Sequence, residues 1–400
     1  MSSASLSDND VVIVSAARTP MGGFQGDFTT LTAPQLGSVA IAGALQRAGL
    51  GPDQVDEVLM GNVLNAGVKQ APARQAALGA GLPNAVPCTT VSKVCGSGMK
   101  AVMLAHDQIR AGSCEVVVAG GMESMTQAPY LLDKARGGLR LGHGEIKDHM
   151  FTDGLEDAYT GRAMGTYAQQ TADEKGYTRE QMDAYAIESL SRANRAIAEG
   201  YFKAEIAPVT VKSRGGEHIV EHDEQPGKAN LDKIPQLKPA FAKDGTITPA
   251  NSSSISDGAA ALVLMTAARA RALGLAPMAK IVAHSSHAQL PGEFTVAPIG
   301  SIQKLLQKTG WSLADVDLIE INEAFAMVTM LAIDGLSLDP AKVNVNGGAC
   351  ALGHPIGSSG ARILVTLLHA LRRLGKHKGV ASLCIGGGEA TSVAVEMLQS

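Results

Sequence analysis

Leu45-Gln46-Arg47-Ala48-Gly49 returns, slightly altered, as Leu306-Gln307-Lys308-Thr309-Gly310, and Val55-Asp56 returns as Val316-Asp317. Both pairs are separated by 261 positions, from 45 to 306 and from 55 to 316. With the register moved by one residue, Ser97-Gly98 falls on Ser359-Gly360 and Lys100 on Arg362. Further on, Val116-Val117-Val118-Ala119-Gly120-Gly121 resembles Ser382-Leu383-Cys384-Ile385-Gly386-Gly387. A nearly constant offset across separate segments marks two halves of one fold, on a period far longer than that of a solenoid.

Each half alternates strands and helices. Val11 to Ser15 reads as a short apolar strand with Ile281-Val282-Ala283 as its counterpart. Leu36, Val39, Ala40 and Leu45 give 33–48 helical spacing, which stops at Gly49. Val116 to Ala119 and Leu383 to Ile385 are unbroken apolar runs, as central strands covered on both faces require. The pattern predicts α/β architecture, helices packed on mixed or parallel sheets. Residues 124–250 have no duplicate. They carry a Gly-rich turn at Arg136-Gly137-Gly138, a polar helix from Thr178 to Glu199, and a Pro-, Gly- and charge-rich run from Asp223 to Leu237. The reading is a first half of residues 1–123 and 251–274, an insert of 124–250, and a second half of 275–400.

Composition narrows the function. Of 400 residues, 45% are apolar and 18% charged, a globular balance. With 38 acidic against 34 basic side chains and one Trp, there is neither a basic surface nor the stacking material for nucleic acid. No apolar run is long enough to span a bilayer. Met1 to Asp10 is polar and acidic, unlike a signal or transit peptide, and the final Met397-Leu398-Gln399-Ser400 is not a targeting signal, so the expected location is the cytoplasm. Five cysteines without a CxxC pair argue against a disulfide framework or a structural zinc site. The histidines look scattered and no metal site is expected.

Val91-Ser92-Lys93-Val94-Cys95-Gly96-Ser97-Gly98-Met99 carries the chemistry. A β-type run ends at Cys95, and Met99, Val102, Met103 and Ile109 then follow helical spacing. The small residues after Cys95 permit close approach, and a helix N-terminus favours a thiolate. A lone Cys is more often core, and the turn is what lifts this one. His354, in Gly347-Gly348-Ala349-Cys350-Ala351-Leu352-Gly353-His354-Pro355-Ile356-Gly357, occupies the equivalent turn of the second half. Two such turns of a pseudo-twofold fold can face one cavity, placing a base beside the thiol. Taken alone, His354 could equally cap a turn. Cys384-Ile385-Gly386-Gly387-Gly388 offers successive N–H groups as an anion nest, although a Gly triplet can be only a turn. Asn322, after Leu318 to Ile321, can hold a water or serve as a helix N-cap, and an isolated Asn reads as the cap. His143 lies in the unduplicated insert, where nothing pairs it with Cys95.

At these four motifs the chain resembles the thiolase family, in particular its acetyl-CoA C-acetyltransferase group. The likeness extends through Val14 to Pro20, Gly120 to Met125, Lys238-Pro239-Ala240-Phe241 and Asp257-Gly258-Ala259-Ala260. It implies a duplicated fold, two pseudo-twofold-related α/β halves in an αβαβα arrangement with an inserted loop domain covering coenzyme A. It implies Cys95 as the nucleophile that becomes an acyl-thioester, His354 as its base and Cys384 as the acid/base that exchanges the α-proton. Asn322 would hold a water that forms one oxyanion hole with His354, and the N–H groups of Cys95 and Gly386 would form the other. Ser253, Met164 and Lys228 would lie against coenzyme A. The implied reaction joins two acetyl-CoA into acetoacetyl-CoA and CoA, reversibly and by ping-pong. It uses CoA thioesters as substrates and no permanently bound cofactor, in a homo-oligomer, dimer or tetramer, with the stretch around Met125 to His149 as the arm that would join dimers into tetramers.

The chain departs from the family pattern in three places. Ala163 stands where biosynthetic members often carry a His lining the acyl pocket, Ser92 where relatives often have Asn, and Ala390 where a Gly is common. The first keeps open a degradative 3-ketoacyl-CoA thiolase for longer chains. A ketosynthase-type enzyme would show two His with the Cys, and a non-catalytic acyl-CoA or lipid carrier would have lost the Cys–His–Cys set.

Overall fold

The structure, a computed structural model, describes residues 6–213 and 215–398. Residues 1–5 and 399–400, on which part of the targeting argument rests, lie outside the described residues.

The repeat seen in sequence is a repeat of topology. In the first half the strand order is Cys88–Val91, Glu57–Gly61, Val116–Ser124, Ser256–Thr266, Val11–Arg18. In the second it is Leu318–Ile321, Lys378–Ile385, Glu389–Met397, Ala279–Ala288. Glu57–Gly61 runs parallel to Val116–Ser124, as Leu318–Ile321 does to Lys378–Ile385. The next two pairings are antiparallel in both halves. Even Cys88–Val91, which has no second-half strand, has an echo in the parallel bridge between Ile319 and Val343. Among the described residues the strands of the two halves join edge to edge at two pairs, Val12 with Lys280 and Ile13 with Ala279.

Helix Ser97–Arg110 and helix Ile356–Leu374 pack on each other and on strands of both halves. Helices Ala33–Ala48 and Pro72–Gly79 cover the outer face of the first sheet, and Ala297–Thr309 and Ala326–Leu336 that of the second. The resulting order is the αβαβα stack. Helix Ile356–Leu374 is buried on every side from Ile356 to Leu371, yet Ser359, Arg362, Thr366 and His369 fall at helical spacing on one polar face, so its amphipathic pattern orders polar contacts inside the molecule rather than facing water.

The two central helices approach through glycines that the repeat equates. A Cβ on Gly98 would stand 2.9 Å from the Ala361 nitrogen, and one on Gly360 2.5 Å from the Met99 nitrogen. No real Cβ fits at such distances from backbone. The glycines therefore set how closely the Cys95 turn and the His354 turn come together.

Within 124–250, helix Arg179–Ala198 is capped by Thr178, whose hydroxyl accepts from the Gln181 N–H. That helix packs on the second half through Ala326–Leu336 and Ala349–Leu352. The hairpin Val209–Ser213 with Gly216–Val220 puts Val209, Val211 and Val220 into the outer core of the first half. The segment is thus folded onto both halves. The fully buried Arg18 anchors it, with Nε 2.6 Å from Glu205 and Nη1 2.7 Å from Asp223.

Candidate active site

Cys95 sits in a strained turn. Strand Cys88–Val91 ends, and Val94 takes φ 45, the left-handed region that a β-branched residue avoids. Ser97 closes the turn: its hydroxyl accepts from the Lys93 N–H at 2.8 Å and donates to the Val94 carbonyl at 2.7 Å. Helix Ser97–Arg110 begins at once. The helix start and the two N–H groups favour a thiolate, and burial opposes it. Burial pushes the Cys95 thiol up to about 11, outweighing hydrogen bonds to the sulfur from the backbone N–H groups of Gly386 and of Cys95 itself.

His354 is held by its own turn. Its N–H donates to the Ser254 carbonyl at 3.1 Å. Ring atom Nδ1 lies 2.5 Å from the Ser359 hydroxyl, which donates to the Pro355 carbonyl 3.0 Å away. The Ser359 oxygen, its proton directed to Pro355, turns its lone pairs to the ring, an arrangement that suits Nδ1–H and a free Nε2 lone pair. Nε2 is buried and has no hydrogen-bond partner. Burial, helped by the charge of Arg362, pulls the imidazole down to about 3 and keeps it neutral.

Cys384 is 1% exposed, at the end of strand Lys378–Ile385. Burial, and then the nearby Cys95, push its thiol far above the usual range. Gly387 and Gly388 follow at φ 93 and 86, a reversal that needs glycine. Across this loop Lys93, two residues before Cys95, forms an ion pair with Glu389.

One cavity of about 230 Å³, partly open to solvent, is lined by Cys95, His354, Cys384 and Gly386 and also by Ser253 and Met164. Phe151, Leu155, Ala163, Phe241, Phe294 and Phe325 make the rest of its wall largely apolar. Asn322 lies directly behind it. The residue is fully buried, its Nδ2 is 3.4 Å from His354 Nδ1, and its Oδ1 has no partner. It is not a helix N-cap, since the next helix starts at Ala326 with Phe325 in the capping place. Lys228 does not line the cavity; its ammonium pairs with Glu224. His143 is exposed and is not among the lining residues.

Two buried carboxylates escaped the sequence reading. Glu123 accepts from the N–H groups of Val63, Leu64 and Gly357 at 3.0, 3.1 and 2.9 Å, and from Asn62 Nδ2 at 2.7 Å. Burial raises it to about 7. It ties the start of helix Ile356–Leu374 to the first half. Glu323 accepts from Tyr185, Ser189, Asn344 and the Cys350 N–H, fastening the insert to the strand end that bears Asn322. Its adjacency to Asn322 was the available signal. Ser359 was also within reach, since the repeat equates it with Ser97.

This constellation has known counterparts. The thiolase N-terminal domain matches residues 11–268 and the thiolase C-terminal domain residues 275–397. The chain belongs to the thiolase family. Among curated thiolases, an acetyl-CoA acetyltransferase of Pseudomonas aeruginosa is 49% identical over 96% of this chain and 99% of its own. Among solved structures, the Bacillus anthracis acetyl-CoA acetyltransferase superposes with TM-score 0.95 at 44% identity, covering 97% of this chain and 99% of that one. The Acat5 thiolase from Ascaris suum, in complex with coenzyme A, gives 0.92 at 42% identity, covering 97% and 100%.

Proposed function

We propose that this thiolase is an acetyl-CoA C-acetyltransferase that joins two acetyl-CoA into acetoacetyl-CoA and CoA, reversibly and by ping-pong. The observation that carries the reading is the meeting of Cys95, His354 and Cys384 in one apolar cavity. His354 Nε2, the free lone pair, would take the Cys95 proton as the sulfur attacks the acetyl carbonyl, and CoA would leave with the proton of Cys384, which leaves Cys384 as a thiolate while the proton on His354 stays there until the Cys95 thiolate is expelled and takes it back. The second acetyl-CoA has a weakly acidic methyl group. A thiol held as high as that of Cys384 gives, once ionised, a strongly basic thiolate, which suits removal of that proton. The resulting enolate carbon would attack the Cys95 acetyl group and expel the Cys95 thiolate. The N–H groups of Cys95 and Gly386 already point at the sulfur and would meet the acyl oxygen, while Asn322 with His354 would serve the enolate oxygen.

Ser253 and Met164 line the cavity and are assigned to CoA. Lys228 keeps its assignment near the adenine on sequence resemblance alone. Residues 124–250 would cover the CoA. The five cysteines are all free, which fits a reducing compartment such as the cytoplasm.

Mass spectrometry of the intact protein after brief exposure to acetyl-CoA tests the scheme. One acetyl group is expected on the wild type and none on Cys95→Ala. Cys384→Gly should still acylate but not condense; normal condensation by that variant would remove Cys384 from the mechanism.

Ala163 and the phenylalanine-rich wall favour one variant of this reading, a 3-ketoacyl-CoA thiolase acting on longer chains. Thiolysis of 3-oxoacyl-CoA substrates of increasing length separates the two, and a maximum well beyond acetoacetyl-CoA would select the second.

A further inference from the structure

The histidines that look scattered in sequence are not all apart in the fold. His106 and Asp107 stand near the end of helix Ser97–Arg110, in the first half. His284 stands in strand Ala279–Ala288, in the second. His106 Nδ1 and His284 Nε2 lie 3.0 and 2.8 Å from the same oxygen, Oδ1 of Asp107. The two rings meet edge to face with centroids 5.1 Å apart. One ligand atom from each residue lies within 4.8 Å of the other two. The imidazoles are 17% and 16% exposed, and Asp107 is 53% exposed. Packing therefore fixes the two nitrogen donors while leaving the oxygen side open to solvent.

We propose that His106, Asp107 and His284 form a binding site for a divalent transition-metal ion of the zinc class, with a coordination position left open to water. Two imidazole nitrogens and one carboxylate oxygen suit zinc, cobalt or nickel better than magnesium or calcium, which prefer all-oxygen shells. The neighbouring cationic groups are already engaged, Arg110 with the Asn9 carbonyl and Lys308 with the His284 carbonyl, each at 2.9 Å.

The site is separate from the reaction cavity. It lies near the far end of the helix that begins beside Cys95, about 15 Å along the axis at roughly 1.5 Å per residue. A bound ion would staple the C-terminal end of that helix to the second half of the sheet. Binding to the folded state alone raises apparent stability by mass action.

Titration of the chelator-treated full-length protein with cobalt(II) chloride, followed by calorimetry and visible absorption, is the test. One equivalent per chain is expected, with ligand-field absorption and no thiolate charge-transfer band. His106→Ala and His284→Ala should each weaken binding at least tenfold, whereas Cys95→Ala should bind as the wild type does. Zinc should raise the melting temperature of the wild type and not that of His106→Gln, a control for damage to the helix. Absence of binding, binding unchanged in both histidine variants, or binding lost in Cys95→Ala would each overturn the proposal.

Discussion

Ser97 and Ser359, which the internal repeat places at equivalent positions, each close one of the two catalytic turns by donating back along the chain, Ser97 over three residues and Ser359 over four. Each donates its hydroxyl proton to a carbonyl of its own turn, Ser97 to Val94 at 2.7 Å and Ser359 to Pro355 at 3.0 Å. The turns differ in what the oxygen accepts. Ser97 takes the Lys93 N–H, and Ser359 faces His354 Nδ1. A device that shapes the nucleophile turn in one half thus orients the imidazole in the other.

Ser359→Ala removes the acceptor for Nδ1–H and leaves a buried donor unpaired, a cost of about 1–3 kcal/mol. The larger effect should be on the reaction. A ring free to rotate or change tautomer should slow acylation of Cys95 by about 10²-fold, the scale of small misplacements in an active site. KM for acetyl-CoA should stay near the wild-type value, and Ser359→Thr should restore much of the rate. Single-turnover acylation measures this; an unchanged rate in Ser359→Ala would show that Ser359 only caps the turn.

The pH response of Cys95 follows from its surroundings. A thiol at about 11 beside an imidazole at about 3 is not a thiolate–imidazolium pair at neutral pH. The thiolate fraction should rise about tenfold per pH unit up to about 11. Alkylation of the free protein by iodoacetamide at Cys95 should follow that slope, with no plateau near neutrality. Such a plateau would reveal an ion pair and change the first step from concerted base catalysis to attack by a preformed thiolate.

Periodicity and repetition made the architecture legible, because both depend on residue spacing. The offset equated Ser97 with Ser359 and Gly98 with Gly360, and the structure places these pairs at the centre of the molecule. Strand ends were less legible. Val116 to Ala119 read as a strand, yet the strand runs to Ser124. Gly120 and Gly121, outside the apolar run, belong to the strand. A Cβ on Gly121 would fall 2.0 Å from the Gly357 carbonyl oxygen, so a tertiary contact selects that glycine. Cys95, His354 and Cys384 stand out in Gly-rich turns. Glu123 and Glu323 do not, since what distinguishes them is four converging donors from distant segments. A helix N-terminus, which favours a thiolate, shows in sequence, whereas the desolvation that opposes it does not.

The glycine contact between the central helices gives a sharp test of the packing. A methyl group on Gly360 must displace the Met99 backbone, and overpacking of this kind costs typically about 1–3 kcal/mol. The displaced segment leads directly to Cys95. Gly360→Ala should therefore lose acyl transfer more steeply than stability, and condensation should fall in a variant still folded by circular dichroism. Equal activity in Gly360→Ala would mean that the helices can separate without moving the two turns.

Exposed apolar side chains identify the remaining surface of interest. Hairpin Tyr130–Leu132 with Ile146–Asp148 and the residues it encloses leave Tyr130, Leu132, Leu139, Leu141 and Ile146 open to solvent, Leu141 to 99%. A patch of this kind marks an interaction site when several large apolar groups share it. Closed symmetric assemblies are the common outcome for such chains, and a homo-oligomer built through this hairpin is the expected state. Replacing Leu141 and Ile146 together by Asp touches none of the residues lining the catalytic cavity. Light scattering after gel filtration should then show a smaller assembly, with acylation of Cys95 retained. If the double variant keeps the wild-type mass, the hairpin does not join subunits and the exposed side chains serve another contact.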